Sequence, residues 1–170
     1  MNWHEYFTYD GATGNLIHKE RPCSMFKACN YARTWNTQNA FKTAGYVQDD
    51  GYRVVRLLGK TYKAHRIIWE MNNGAIPEGI DIDHRDRNKA NNRIANLRKA
   101  TASQNLFNSP KRTRNTSGVK GVSLNRNKWQ ARIMVNGVDI RLGRFVSKGM
   151  AAVAYAKAAI RYHGEFARVV

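Results

Sequence analysis

The chain has 170 residues, 42% of them hydrophobic, enough for one ordinary domain or two small modules, neither able to hold a large core. Its 29 Lys and Arg against 12 Asp and Glu leave a net charge of +17, which points to a polyanionic partner. No apolar run approaches the roughly 18 residues of a membrane span and no signal-peptide pattern occurs, so the expectation is a soluble protein of a reducing cytoplasm without a membrane partner.

In chain order, residues 6–10 and 15–18 flank Gly11-Ala12-Thr13-Gly14 and predict a hairpin. Residues 20–43 read as irregular, and Cys23 and Cys29, with no second Cys or His pair at zinc spacing, are expected to be thiols. Residues 45–47, 52–58 and 61–63 are β-rich runs broken at Asp50-Gly51 and Leu58-Gly59, which predicts a small antiparallel sheet. Ile67, Ile68 and Met71 then fall at helical spacing in a helix over 64–73 that stops at Gly74. Residues 80–108 read strand, polar loop, strand, helix, with Thr101 and Gln104 fitting a capping box. Residues 109–116 read as a basic linker. Beyond it, residues 119–124, 128–135 and 138–146 predict three strands with a tight Asn136-Gly137 turn. A helix capped by Ser147 follows to Tyr162, with Ala151, Ala154, Tyr155, Ala158 and Ala159 along one stripe.

The basic residues are unevenly placed. No acidic residue lies between Asp86 and Asp139, a stretch that carries Arg87, Lys89, Arg93, Arg98, Lys99, Lys111, Arg112, Arg114, Lys120, Arg126, Lys128 and Arg132. Such a track binds phosphates by releasing condensed counterions, with affinity that declines with salt.

One segment concentrates chemistry. Asp83-His84 ends the first strand of the 80–108 region, Asn96 lies in the second, over 94–100, and Asn105 sits in the first turn of the helix. Phosphodiester hydrolysis needs a base to activate water and a cation to offset charge on the phosphate. An imidazole takes a proton near neutral pH, and a carboxylate with an amide oxygen suits a hard divalent ion. Strand neighbours point to opposite faces, so Asp83 and His84 acting together would need a local twist or bulge. Asn91 and Asn92 read as turn residues, and His65 as either a helix-start structural residue or a phosphate contact.

With this order and spacing, residues 64–108 resemble the HNH endonuclease family, in its phage and intron homing branch, whose fold is a ββα-metal module. The resemblance implies that Asp83 and Asn105 bind the metal, that His84 is the general base and that Asn96 orients it. Asn in place of His at position 105 favours magnesium, with manganese able to substitute, over zinc. Arg66 is a further DNA-contact candidate.

Residues 117–169 resemble the AP2 DNA-binding domain on Ser117-Gly118-Val119-Lys120-Gly121-Val122, Trp129 to Ile133, Arg141-Leu142-Gly143-Arg144-Phe145 and Ala151 to Tyr155. That resemblance implies a three-stranded sheet against double-stranded DNA with the helix behind it. Alternation then sets Lys128, Gln130, Arg132 and Met134 on the DNA face, and Trp129, Ala131, Ile133 and Val135 on the other. The DNA-contact candidates are Lys111, Arg112 and Arg114 of the linker, and Lys120, Arg126, Lys128, Arg132 and Arg141 of the module.

The expected architecture is α+β. A β-rich region and HNH nuclease module occupy 1–108, a basic linker 109–116, and an AP2-like sheet packed on one helix 117–170. The expected function is a site-specific, single-metal DNA endonuclease of homing or nicking type, monomeric and without a small-molecule cofactor. The alternatives are a non-catalytic AP2-type regulator with a decayed nuclease half and a basic RNA-binding protein.

Overall fold

The computed structural model describes residues 1–108 and 115–168, so Lys111, Arg112 and Arg114 lie outside the described residues. The chain is mixed α+β with small antiparallel sheets and divides into two compact units, Met1–Lys99 and Ala100–Val170.

In the first unit, strands β1 (Phe7–Asp10) and β2 (Asn15–His18) form the expected hairpin, with Phe7 opposite His18. Strands β3 (Tyr46–Val47), β4 (Arg53–Leu57) and β5 (Lys60–Lys63) form an antiparallel sheet in the order β3-β4-β5. Helix α2 (Ala64–Asn73) follows directly and ends at Gly74, whose positive φ of 79° ends the helical path while its N–H bonds to the Glu70 carbonyl. Its apolar spacing puts Ala64, Ile67 and Ile68 on one buried face, against Phe7, Leu16, Val55, Leu57, Ile82 and Leu97. Burial of each large side chain there is worth about 1.5–3 kcal/mol. This core is the platform under strand β6 (Ile80–His84), which pairs with β7 (Leu97–Thr101), whose first three residues close the unit.

Two expectations for residues 20–43 are corrected. The segment contains a 3-10 turn at Cys23–Met25 and an eleven-residue helix, α1 (Cys29–Asn39). The helix was illegible because it has no apolar stripe: Ala32 is its one buried residue. Cys23 and Cys29 are joined in a disulfide instead of standing as thiols, the turn bringing their Cα atoms to 4.6 Å.

The second unit holds helix α3 (Ala102–Asn108), strands β8 (Val122–Asn125), β9 (Lys128–Val135) and β10 (Val138–Phe145), and helix α4 (Lys148–His163). The capping box at α3 is made: the Thr101 N–H donates to Gln104 Oε1 at 2.8 Å and the Gln104 N–H to Thr101 Oγ1 at 3.3 Å. Ser147 caps α4 by accepting the Met150 N–H at 3.2 Å. The sheet order is β10-β9-β8, antiparallel throughout. Ala131, Ile133 and the flanking Trp129 and Val135 pack with Ala151, Tyr155, Ala158 and Ala159 of α4, as strand alternation and the small-residue stripe require. Gly121 is essential to this packing, since at φ +70° a Cβ would lie 2.2 Å from the Tyr155 ring.

The division between the units falls before α3 and not at the basic linker. Phe107 stacks on His163 of the second unit with ring centroids 3.7 Å apart, and the Lys120 ammonium donates to the Leu106 and Phe107 carbonyls at 3.1 and 2.9 Å. These contacts anchor α3 to the sheet-and-helix module.

Candidate active site

The burial of β6 alternates, with Ile82 and His84 buried on one face and Asp83 partly buried between them on the other, so the strand does not show the twist or bulge expected to let Asp83 and His84 act together. Asp83 meets Arg98 of β7, whose Nε and Nη2 donate to Asp83 Oδ2 at 3.0 and 2.8 Å. Both partners are largely buried, at 5% side-chain exposure for Arg98 and 14% for Asp83. Two charge-assisted bonds on one oxygen fix the carboxylate's orientation. Arg98 was expected only as one of many cations in the basic track.

His84 is 3% exposed. Its Nε2 lies 2.9 Å from Asn92 Oδ1, an amide oxygen that accepts when the ring carries a proton at Nε2. Asn92, expected to be a turn residue, is thus a buried partner of His84, at 1% exposure. The His65 ring packs edge-on against His84 with centroids 4.9 Å apart, and Tyr52 lies within 6.0 Å. Burial, followed by the charges of His84, Lys63 and Arg66, pushes the His65 pKa down to about 3. His65 is therefore a neutral, buried aromatic wall beside His84.

Asn96 reaches His84 indirectly. Its carbonyl accepts the Arg85 N–H at 2.8 Å, and its amide donates to Asp86 Oδ1 and to the Asn91 carbonyl, each at 2.8 Å. Its Oδ1 accepts the Asp86 N–H at 3.0 Å, and Asn91 Nδ2 closes the ring on Asp86 Oδ2 at 2.6 Å. Slight burial raises the Asp86 pKa, but hydrogen bonds from Asn91, the Asn88 N–H and Asn96 outweigh it and hold the carboxyl below the ordinary range. Asp86 therefore stays ionised as the loop's acceptor. Asn96 is a brace for the loop that begins at His84 and returns Asn92 to it.

The N-terminal hairpin holds the same loop from outside. The Ile94 N–H donates to the Tyr9 hydroxyl at 2.8 Å, and Arg93 Nε to the Ala12 carbonyl at 2.9 Å. Gly14 at φ +77° passes so close that a Cβ would lie 2.7 Å from the Arg93 nitrogen and 2.9 Å from the Asn92 carbonyl carbon. No motif spacing marks these residues.

Of the remaining expected site residues, Asn105 lies on α3 in the second unit. Arg66 is 42% exposed and pairs with Asp81 at 3.5 Å. Lys120 spends its ammonium on α3 carbonyls, and Arg132 pairs with Asp139 at 2.9 Å, whereas Arg126, Lys128 and Arg141 are exposed. Gln130, expected on the DNA face, is buried. Among the described residues no three His, Cys, Asp or Glu side chains cluster as metal ligands. The donors at the motif positions are carboxylate and amide oxygens, a set that fits a hard ion completed by phosphate and water.

Residues 62–106, which include this carboxylate-histidine strand end, the braced polar loop and the returning strand, match the family model described as "HNH endonuclease". The chain is 37% identical over 123 residues to an HNH endonuclease of Acanthamoeba polyphaga mimivirus, covering 72% of this chain and 64% of that protein. It is 34% identical over 113 residues to Protein 3.8 of Escherichia phage T7, covering 64% of this chain and 91% of that one. The DNA endonuclease I-HmuI of Bacillus phage SP01 is 28% identical over 132 residues, covering 75% of this chain and 68% of that one. Residues 62–106 thus carry an HNH endonuclease domain, within a chain that is similar over most of its length to HNH endonucleases. It spans somewhat less than two thirds of the mimivirus relative's length. A solved structure titled "DNA binding and cleavage by the HNH homing endonuclease I-HmuI" aligns with a TM-score of 0.41 and 19% identity over 93% of this chain and 85% of that one, a likeness too distant to carry an argument.

Proposed function

We propose that the protein is a site-specific endonuclease of double-stranded DNA, of homing or nicking type, that hydrolyses phosphodiester bonds at the Asp83–His84 centre with one magnesium ion. The observation that carries this reading is His84 held by Asn92 on a loop braced by Asn96, with Arg98 aiming the neighbouring Asp83. His84 takes the proton of the attacking water as the water oxygen bonds to phosphorus and the bond to the sugar oxygen breaks. The metal, when bound, offsets the negative charge that grows on the phosphate and the leaving oxygen. Asp83 and Asn105 are the residues that would hold it, and their hard oxygens favour magnesium or manganese over zinc. Asn92 keeps the His84 tautomer, Asn96 keeps the loop, and Arg98 keeps the Asp83 rotamer.

The second unit would supply sequence preference as an AP2-like module, the exposed Arg126, Lys128 and Arg141 meeting DNA. The β10-β9-β8 sheet with α4 behind it supports that reading. A centre that touches mainly backbone has little preference of its own, so a tethered reader is the natural complement.

The test is supercoiled plasmid with magnesium. The wild type is expected to nick it, and His84→Ala is expected to nick at least about a hundredfold more slowly while binding a mixed-sequence duplex as tightly. Undiminished nicking by His84→Ala would refute the catalytic assignment. Binding without nicking by the wild type would favour a non-catalytic DNA-binding protein.

A further inference from the structure

Helix α1 has a construction that its own fold does not explain. An eleven-residue helix is marginal without tertiary support, and this one buries only Ala32. It is nevertheless fixed in place. Trp35 sits between the Arg21 guanidinium, 3.8 Å above its ring, and His18 of β2, with centroids 5.2 Å apart. Asn36 pairs with the Arg21 backbone in both directions, accepting its N–H at 3.0 Å and donating to its carbonyl at 2.9 Å. The Cys23–Cys29 bridge ties down the first residue of the helix. The inner face is held by these few contacts, and the outer face is left to solvent.

That outer face carries Asn30, Arg33, Thr34, Thr37 and Gln38, all exposed and one helical stripe by their spacing. Among the described residues, the side chains of Asn30, Arg33 and Gln38 make no hydrogen bond to protein. Thr34 and Thr37 donate their hydroxyls to the Asn30 and Arg33 carbonyls, at 3.0 and 2.9 Å, and present acceptor oxygens outward. Lys27 and Tyr31 flank the stripe, both exposed. From Arg21 to Gln48 there is no carboxylate, while Arg21, Lys27, Arg33 and Lys42 are all cationic. Amides and an arginine on a helix are the groups that read base edges in the major groove, and a carboxylate-free cationic margin is what a phosphate backbone tolerates.

We propose that α1 is a DNA-reading helix, its Asn30, Arg33 and Gln38 directed at base edges and Lys27 at phosphate, on the flank of the cleaved site. The inference rests on the endonuclease reading above and adds a specificity element to it within the first unit. The covalent path supports the placement. β2 joins α1 to the hairpin turn at Ala12 and Gly14 that clasps Arg93 beside Asn92, so the reader and the catalytic loop are fastened to opposite ends of one four-residue strand.

The experiment uses the full chain and two double variants, Lys27→Ala/Arg33→Ala and Asn30→Ala/Gln38→Ala, all at exposed positions. For a mixed-sequence DNA duplex, the first variant is expected to flatten the log-affinity against log-salt slope by about 0.9, the one phosphate contact of Lys27, and to weaken binding further through the lost Arg33 base contact. For magnesium-dependent cleavage of phage DNA, the second is expected to reduce the preference for the wild-type sites about tenfold or more, with total nicking of plasmid retained. If both variants keep the wild-type slope and cleavage map, α1 is no reader, while the endonuclease reading stands. If the wild type itself neither binds nor cuts DNA, the endonuclease reading fails and takes this inference with it. A dimer in sedimentation that Tyr31→Ala dissolves would assign the face to a second copy and overturn the proposal.

Discussion

Burial keeps the His65 imidazole neutral down to a pKa of about 3, against an ordinary 6.5, and this couples folding to acid. Between those two values the unfolded chain binds the proton and the folded chain does not. Stability from His65 is therefore complete above about pH 6.5 and lost as pH falls toward 3, with a slope of up to about 1.4 kcal/mol per pH unit. Urea unfolding at stepped pH is expected to show that slope, and His65→Leu is expected to flatten it between pH 6 and about 4; an unchanged slope would contradict the burial argument. Arg98 makes a second demand at this scale. Removing it in Arg98→Ala leaves the Asp83 carboxylate without two donors in a largely buried place, which is expected to cost about 3–5 kcal/mol in urea unfolding. Arg98→Lys is expected to recover part of that stability, because it keeps the charge but loses the forked donor pair. Asp83, His84 and Asn96 stand out in the sequence as candidates because the chemistry proposed for them imposes residue types at fixed spacing. Arg98 and Asn92 do not, because a basic run does not mark which cation will be buried, nor an Asn-rich loop which amide will turn inward.

At the level of elements, the hairpin, the three-stranded sheets and the helices α2 and α4 follow from signals local to the sequence. Turn dipeptides, period-two alternation, the apolar stripe at Ile67 and Ile68 and the Ser147 cap each act within a few residues. What was not legible is docking between elements. The clasp of Gly14 on Asn92 and Arg93 joins residues nearly eighty positions apart, and the placement of α3 beside His163 depends on a stacked pair no periodicity announces. α1 lacked even the local signal, being held by a disulfide, a guanidinium and one asparagine. The hairpin clasp has a direct test. Gly14→Ala combines a φ of +77° with a Cβ inside contact distance of the catalytic loop's backbone, so the loop must shift. The expected result is a stability loss of about 1–3 kcal/mol and a loss of plasmid nicking of at least about tenfold, since Asn92 moves with Arg93. Nicking at the wild-type rate would show that the hairpin does not position His84.

Across the whole molecule, the proposed function assigns cleavage and attachment to different residues of a chain with a net charge of +17. Asp83, the proposed metal ligand, and Asp86, the loop's acceptor, stand at the edge of a stretch without carboxylates that runs to Asp139 and contains the exposed Arg126 and Lys128 of the β8–β9 end. The two units also have separate cores, one around Ile67, Ile68 and Leu97 and one around Ala131, Ile133 and Tyr155. A substitution on the exposed sheet face therefore need not reach the packing that holds His84. In Arg126→Ala/Lys128→Ala, the loss of two cations that meet DNA is expected to weaken duplex binding and to flatten its salt slope by up to about 1.8. His84→Ala is expected to leave that slope untouched, because a largely buried imidazole releases no counterion. The informative comparison is nicking at saturating protein in low salt, where weak attachment no longer limits the rate: the double variant should then approach the wild-type rate, while His84→Ala should not. If the double variant stays slow at saturation, the basic face acts on the chemical step and the separation of roles is wrong.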